Sequence, residues 1–334
     1  MMTCWKPIPR NVFIDHWRNE NRRCVSWSGP HAAMVPGIAH EERRMSSVLR
    51  ILTGLEFVLD PATGQLNWPA ETEDLVRLSI ELARVTHSGL AFAAVAVLPE
   101  QASDCGQIDA WMAAAELQVK QLWQSAAAEA ITIEQAAWFG NPGQEWAESA
   151  RDSEMDLLIV PGAPASEATV AYMADRRWIE QAGCPVWFAG REPDRLDAEP
   201  PLIVFCDDLS HEAAVHLPFA VELALAWNAR LLIVHPLAQS LADLSKDEED
   251  RLRREVFVRL SRTDFRTIPQ GSQLRFVTGG LNEIITEVSS EQIPNLVMSS
   301  VTHVGGVHSP WRGHLLLWAS RSDTEDRDSI AQDV

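Results

Sequence analysis

The stretch 139-FGNPGQEWAESARDSEMDLLI-159 lies without a gap against 278-TGGLNEIITEVSSEQIPNLVM-298, at a constant offset of 139 residues. Both copies run from a glycine turn into an amphipathic helix and then into an apolar strand. Trp146 falls opposite Ile285, and 157-LLI-159 opposite 296-LVM-298. A repeat of this length is one small α/β domain, whereas solenoid repeats are shorter. The match therefore predicts two similar domains in tandem.

Working outward, the first copy alternates strands and helices. Strand patterns fall at 50–57, 90–98, 132–140, 156–162 and 184–190, and helical patterns at 70–85, 107–130, 143–153 and 169–183. In 70–85, Leu75, Leu78, Leu82 and Val85 share one face. The run 90-LAFAAVAVL-98 is apolar throughout, as expected of a strand covered on both faces. After the polar, Pro-bearing stretch 191-REPDRLDAEPP-201 the pattern restarts. Strands are expected at 201–207, 230–237, 273–280 and 295–300, with helices at 211–227, 244–262 and 281–291. Such alternation implies a doubly wound α/β fold, two tandem domains each with a five-stranded parallel sheet flanked by helices. The expected boundaries are an extension at 1–45, domains at 46–190 and 201–320, a linker at 191–200 and a disordered tail at 321–334. The extension is either a genuine tail or the product of a start codon set too far upstream.

The second copy is shorter near its end. The stretch 313-GHLLLWASR-321 parallels 183-GCPVWFAGR-191, but the segment before it is abbreviated. We therefore expect the fifth strand at 314–319 and the loss of most of the fourth helix. The competing reading is a helix over 314–325. A strand is preferred because it covers the edge of its predecessor.

Composition narrows the function classes. The 334 residues carry 28 Lys+Arg against 47 Asp+Glu, a formal net charge of −19. Such a body repels phosphate backbones and anionic membranes, so neither nucleic acid nor membrane is an expected partner. The five cysteines are widely spaced without a CxxC, which suits a reducing cytoplasm. The longest apolar runs are about half a membrane span.

Several residues together resemble the universal stress protein family. Acidic residues follow the first strands (Glu56 and Asp207), and the first helices carry 81-ELA-83 and 222-ELA-224. Gly140 and Gly279 precede the third helices. The tracts 156-DLLIVPG-162, 295-NLVMSS-300, 184-CPV-186 and 298-MSSVTHVGG-306 complete the likeness, which covers about 46–320 and is similar to the tandem type. The resemblance implies a nucleotide loop of the form G-x2-G-x9-G-[ST]. In such a loop small residues let backbone N–H groups approach phosphates, and the last hydroxyl sits at a helix N-terminus.

Against that pattern, both loops are degenerate. In the first copy the terminal pair becomes Tyr172-Met173, and Pro161 and Pro164 remove two N–H donors, leaving Gly162. In the second, Ser299 and Thr302 stand at the glycine positions. Gly313 stands near the third, followed by His314. Ser300, Gly305 and Gly306 remain as possible phosphate donors, Arg312 as a partner for phosphate, and the resemblance places Asp207 at the adenosine end. The alternative for Asp207 is a solvated loop carboxylate beside Asp208.

Other candidates point to no chemistry. His303, His308 and His314 are spaced by five and six residues, which does not force convergence with a fourth ligand, so they are read as loop histidines. Cys184 and Cys206 are read as core thiols. The run 247-DEED-250 opens a helix, where carboxylates suit the macrodipole. The 13 tryptophans are assigned to packing. No GxSxG, HExxH, Walker A or GxGxxG motif is present. The expectation is a non-catalytic, cytoplasmic stress-response or regulatory protein. It would have no cofactor and an unknown protein partner, and its domains would pack as a pseudo-dimer. The alternative is a protein binding ATP or AMP in its second domain, with or without slow hydrolysis.

Overall fold

The computed structural model describes residues 49–59, 66–69, 71–96, 133–162, 177–190, 200–301 and 313–319, with a few positions within 110–118. Contacts divide the chain into two compact units. The first holds β1 (Arg50–Leu59), β2 (Leu66–Asn67), α1 (Thr72–Val85), β3 (Gly89–Ala96), β4 (Ile133–Phe139), α2 (Pro142–Asp152) and β5 (Leu157–Pro161). The helix α3 (Arg177–Ala182) is divided between the units. The second unit holds β6 (Val186–Ala189), β7 (Leu202–Cys206), α4 (His211–Ala226), β8 (Arg230–Leu237), α5 (Lys246–Leu260), β9 (Ser272–Thr278), α6 (Leu281–Ser289), β10 (Leu296–Ser300) and β11 (His314–Trp318). Contacts thus group β6, the fifth strand of the first copy, with the second unit. The reason is its antiparallel pairing to β11, Trp187 opposite Leu316.

In the first unit β4, β3, β1 and β5 run parallel in that order, and β2 folds back antiparallel on the end of β1. In the second the order is β6-β11-β10-β7-β8-β9, parallel apart from β6. The winding direction reverses between β1 and β5, and again between β7 and β10. Residues 314–318 form a strand, and the helical alternative for 314–325 is overturned. The expected helix at 107–130, the loops 163–176 and 302–312, the stretch 191–199 and both termini lie outside the described residues or almost wholly so.

Local sequence explains the elements. Asn141 caps α2 through Gln144 N–H, with Pro142 at the first helical position, where its missing donor costs nothing. Ser245 and Glu248 form a reciprocal capping box on α5, and Asp247, Glu248 and Glu249 stand in its first turn. Gly279 has φ +114, and a Cβ there would lie 2.8 Å from Glu283 Cβ. Only glycine turns the chain into α6 at this point. At Gly54 the constraint is packing. A Cβ would sit 2.6 Å from the ring of Trp146, which is fully buried and donates its indole N–H to Ala93 O at 3.1 Å.

The ladders fix how the two copies correspond. Gly89 N–H donates to Leu49 O and Asp156 N–H to Arg50 O. In the second copy Arg230 N–H donates to Pro201 O and Asn295 N–H to Leu202 O. Gly140 N–H bonds Ala96 O as Gly279 N–H bonds Leu237 O, so the offset read between 139–159 and 278–298 is that of the fold. On the first strands, however, Leu49 matches Pro201. Leu55 therefore stands where Asp207 does, and Glu56 matches Asp208. The pairing of Glu56 with Asp207 was one residue out of register, because adjacent acidic residues in the second copy hide a one-residue shift.

Candidate functional site: the carboxyl end of β7

Open α/β sheets offer a crevice at the carboxyl ends of the strands where the winding reverses. In the second unit that position is defined by the end of β7, the end of β10 and the turn into α4. Three of the expected residues converge there. Asp207 follows β7 and is 1% exposed, and Ser299 and Ser300 close β10 with no exposure. Gly313 does not join them: it is buried directly before β11, whose first residue His314 pairs with Leu296 and donates its N–H to Asn295 O, so in these parallel strands Gly313 lies at the amino end, opposite the crevice. Thr302, Gly305, Gly306 and Arg312 lie outside the described residues, as do Pro164, Tyr172 and Met173 of the first copy. Pro161 ends β5 half-buried, and Gly162 is exposed.

Asp207 is held from several sides. Its Oδ1 accepts from Leu209 N–H at 3.0 Å, and its Oδ2 lies 3.1 Å from Arg259 Nε of α5. Its carbonyl accepts from Nδ1 of His235, on β8, at 2.6 Å. A carbonyl can only accept, so that contact puts a proton on Nδ1. Asp208 Oδ1 takes Ser210 N–H at 2.9 Å, and Ser210 Oγ in turn caps α4 through Ala213 N–H. The turn carries a cost. Leu209 has φ 65, a left-handed conformation that disfavours a branched side chain. Arg259 holds it there, donating from Nη1 to Leu209 O at 3.0 Å and from Nη2 to Ser210 O. A single guanidinium, 17% exposed, thus neutralises the buried carboxylate and clamps the strained turn.

The electrostatics follow from burial. Desolvation holds the Asp207 carboxyl above its ordinary range, against Arg259, Leu209 N–H and His235, while Asp208 adds to the rise. The Cys206 thiol is pushed up to about 12 by burial, against a hydrogen bond with Ser299 and with further upward pressure from Asp208 and Asp207. Ser299 Oγ donates to Ser300 O at 3.3 Å. A thiol so placed is inert and the serine is buried, so neither offers a nucleophile at the surface. Asp207 is not the solvated loop carboxylate of the alternative reading.

Residue reading missed Arg259 and His235. His235 left a signal, a polar ring inside the apolar run 230-RLLIVHPL-237, which demands a partner. Arg259 left none. The histidine trio is redistributed as well. His314 is no loop residue but a buried strand residue between tryptophan rings, while His303 and His308 lie outside the described residues. Among the described residues no helix is long and apolar enough to cross a membrane.

The fold has counterparts among solved structures. A functionally unknown protein from Pseudomonas aeruginosa PAO1 superposes with a TM-score of 0.54 at 14% identity, over 87% of this chain and 100% of its own. A putative universal stress protein from Pseudomonas aeruginosa UCBPP-PA14 gives the same TM-score, identity and coverage. A universal stress protein from Archaeoglobus fulgidus DSM 4304 gives 0.54 at 15% identity, over 82% of this chain and 97% of its own. The fold is that of universal stress proteins. No protein-family model and no curated protein sequence matches the chain. The universal stress protein fold thus extends over most of the chain, at identities that establish architecture alone.

Proposed function

We propose that the chain is a non-catalytic regulatory protein of the tandem universal stress protein type, acting in the cytoplasm through a protein partner, with its nucleotide loops out of use. The observation that carries this reading is the engagement of the Asp207 carboxylate and of the carbonyls of Leu209 and Ser210 by the chain's own Arg259. A ligand sugar or amine competing for those groups would have to displace a partly desolvated guanidinium that faces Asp207 through Nε and donates to the two carbonyls through its Nη atoms. The sequence adds Tyr172-Met173, Pro161 and Pro164 in the first loop. In this reading the two repeats form an intramolecular pseudo-dimer.

A second reading has one observation in its favour. Ser299 and Ser300 bring small, fully buried residues to the carboxyl end of β10, beside the end of β7, the position for an ATP or AMP site in the second repeat. Thermal unfolding with and without millimolar Mg-ATP or AMP separates the two, since a ligand bound only by the folded state raises its stability. The regulatory reading expects an unchanged unfolding temperature with both nucleotides. A rise of several degrees that disappears in Asp207→Ala would replace it with the nucleotide-binding one.

A further inference from the structure

His314 opens β11 with 6% exposure, its ring centroid 5.8 Å from Trp187 on β6 and 6.5 Å from Trp227, which caps the C-terminus of α4. The two indoles meet edge to face at 5.8 Å. Neither His314 Nδ1 nor Trp187 Nε1 has a hydrogen-bond partner. The imidazole is packed as one more aromatic ring. Four residues further along β11, Trp318 stacks on Phe205 of β7 at 5.6 Å and meets His216 of α4 at 5.0 Å. The strand and the helix are therefore joined by two crossed contacts, a strand histidine on a helix-end tryptophan and a strand tryptophan on a helix histidine.

We propose that the α4–β11 seam is a proton-operated latch, closed while both imidazoles are neutral and released when His314 takes up a proton. A charged imidazole at 314 would bring a second N–H into a layer that offers it no acceptor, so the proton is accepted only as the ring leaves the layer. The release does not depend on whether a nucleotide binds at β7. Burial pushes the His314 imidazole down to about 4, and that of half-buried His216 also to about 4, where Glu212 on its own helix works against the fall. The groups facing His314 are Trp187 from β6, Trp227 from α4 and Leu296 from β10. His216 faces Trp318 from β11. Glu212 is the one charged side chain among the described residues that bears on either ring.

The sign follows from linkage. A histidine depressed in the closed state binds its proton more tightly once released, so the seam is fully stable above pH 6.5 and weakens as pH falls from there toward 4. For His314 alone the opening constant rises about 30-fold between pH 7.5 and pH 5. Asp207, raised by burial, acts in the opposite sense, gaining stability as pH falls. Glu248, Asp264 and Glu291, lowered by their hydrogen bonds, lose stability on acidification, but only at and below the ordinary carboxylate range.

The test is hydrogen exchange on the full chain at pH 7.5 and pH 5.0, corrected for intrinsic rates. It compares peptides over 314–318 and 211–226 with one over 89–96. The latch requires protection in the first two to fall about 30-fold, the third to fall far less, and His314→Phe to flatten the response while keeping the ring layer. Equal protection at both pH values, a uniform fall across all three peptides, or a full response in His314→Phe overturns it. Should that variant fail to fold, imidazole titration by NMR on wild-type protein decides. Two histidines titrating near 4 support the latch, and none below 5 refutes it.

Discussion

Arg259 carries a guanidinium whose removal leaves two debts, an unneutralised Asp207 and a left-handed Leu209 without its clamp. Breaking a buried ion pair from one side costs about 3–5 kcal/mol. Arg259→Met is expected to lower stability by that amount in urea titration, and Arg259→Lys to recover only part, because a single ammonium cannot reproduce the fork. Adding Asp207→Asn to Arg259→Met is expected to restore some of the loss. A double variant no more stable than Arg259→Met would show that the cost lay in the turn and not in the charge. Gly54→Ala is a separate probe. Its methyl would overlap the Trp146 ring, which is hemmed in by β1 and β3, and overpacking of this kind costs about 1–3 kcal/mol.

At the level of elements, the periodicity of the sequence located every described strand but the two-residue β2, which is too short to leave a pattern, since buried parallel strands read as apolar runs. Its weakest point was 314–319, where apolar content suits a strand or a helix equally. The parallel with 183–191 and the need to cover β10 decided for the strand, and β11 is seated between β10 and β6. Leu316→Pro, in the middle of that strand, removes a ladder donor between two neighbours and is expected to abolish cooperative unfolding of the second unit in calorimetry. Ser245 caps α5, and Ser245→Ala should cost about 1 kcal/mol by urea titration. The partner of Asp207 was not legible in the sequence. The α5 segment 246-KDEEDRLRREVFVRL-260 carries four arginines, all plausible on a solvated face. Which of them reaches β7 depends on the helix's rotation, with Val256 and Leu260 turned in and Phe257 left 72% exposed. Rotation is set by packing against strands distant in sequence.

On the scale of the whole molecule, a net charge of −19 opposes the approach of polyanions. The charge term is screened beyond about 8 Å in physiological salt, so local geometry decides nucleotide affinity. Losing two charge-assisted bonds to phosphate weakens binding by about 3–6 kcal/mol, more than a hundredfold in affinity. The central claim is that Asp207 and the turn after β7, engaged from within by Arg259, do not serve a nucleotide. Calorimetric titration of the purified chain with Mg-ATP, beside Arg259→Met, addresses it directly. The account expects no heat of binding in the wild type at micromolar concentrations. A low-micromolar dissociation constant in the wild type, lost in Asp207→Ala, would contradict it.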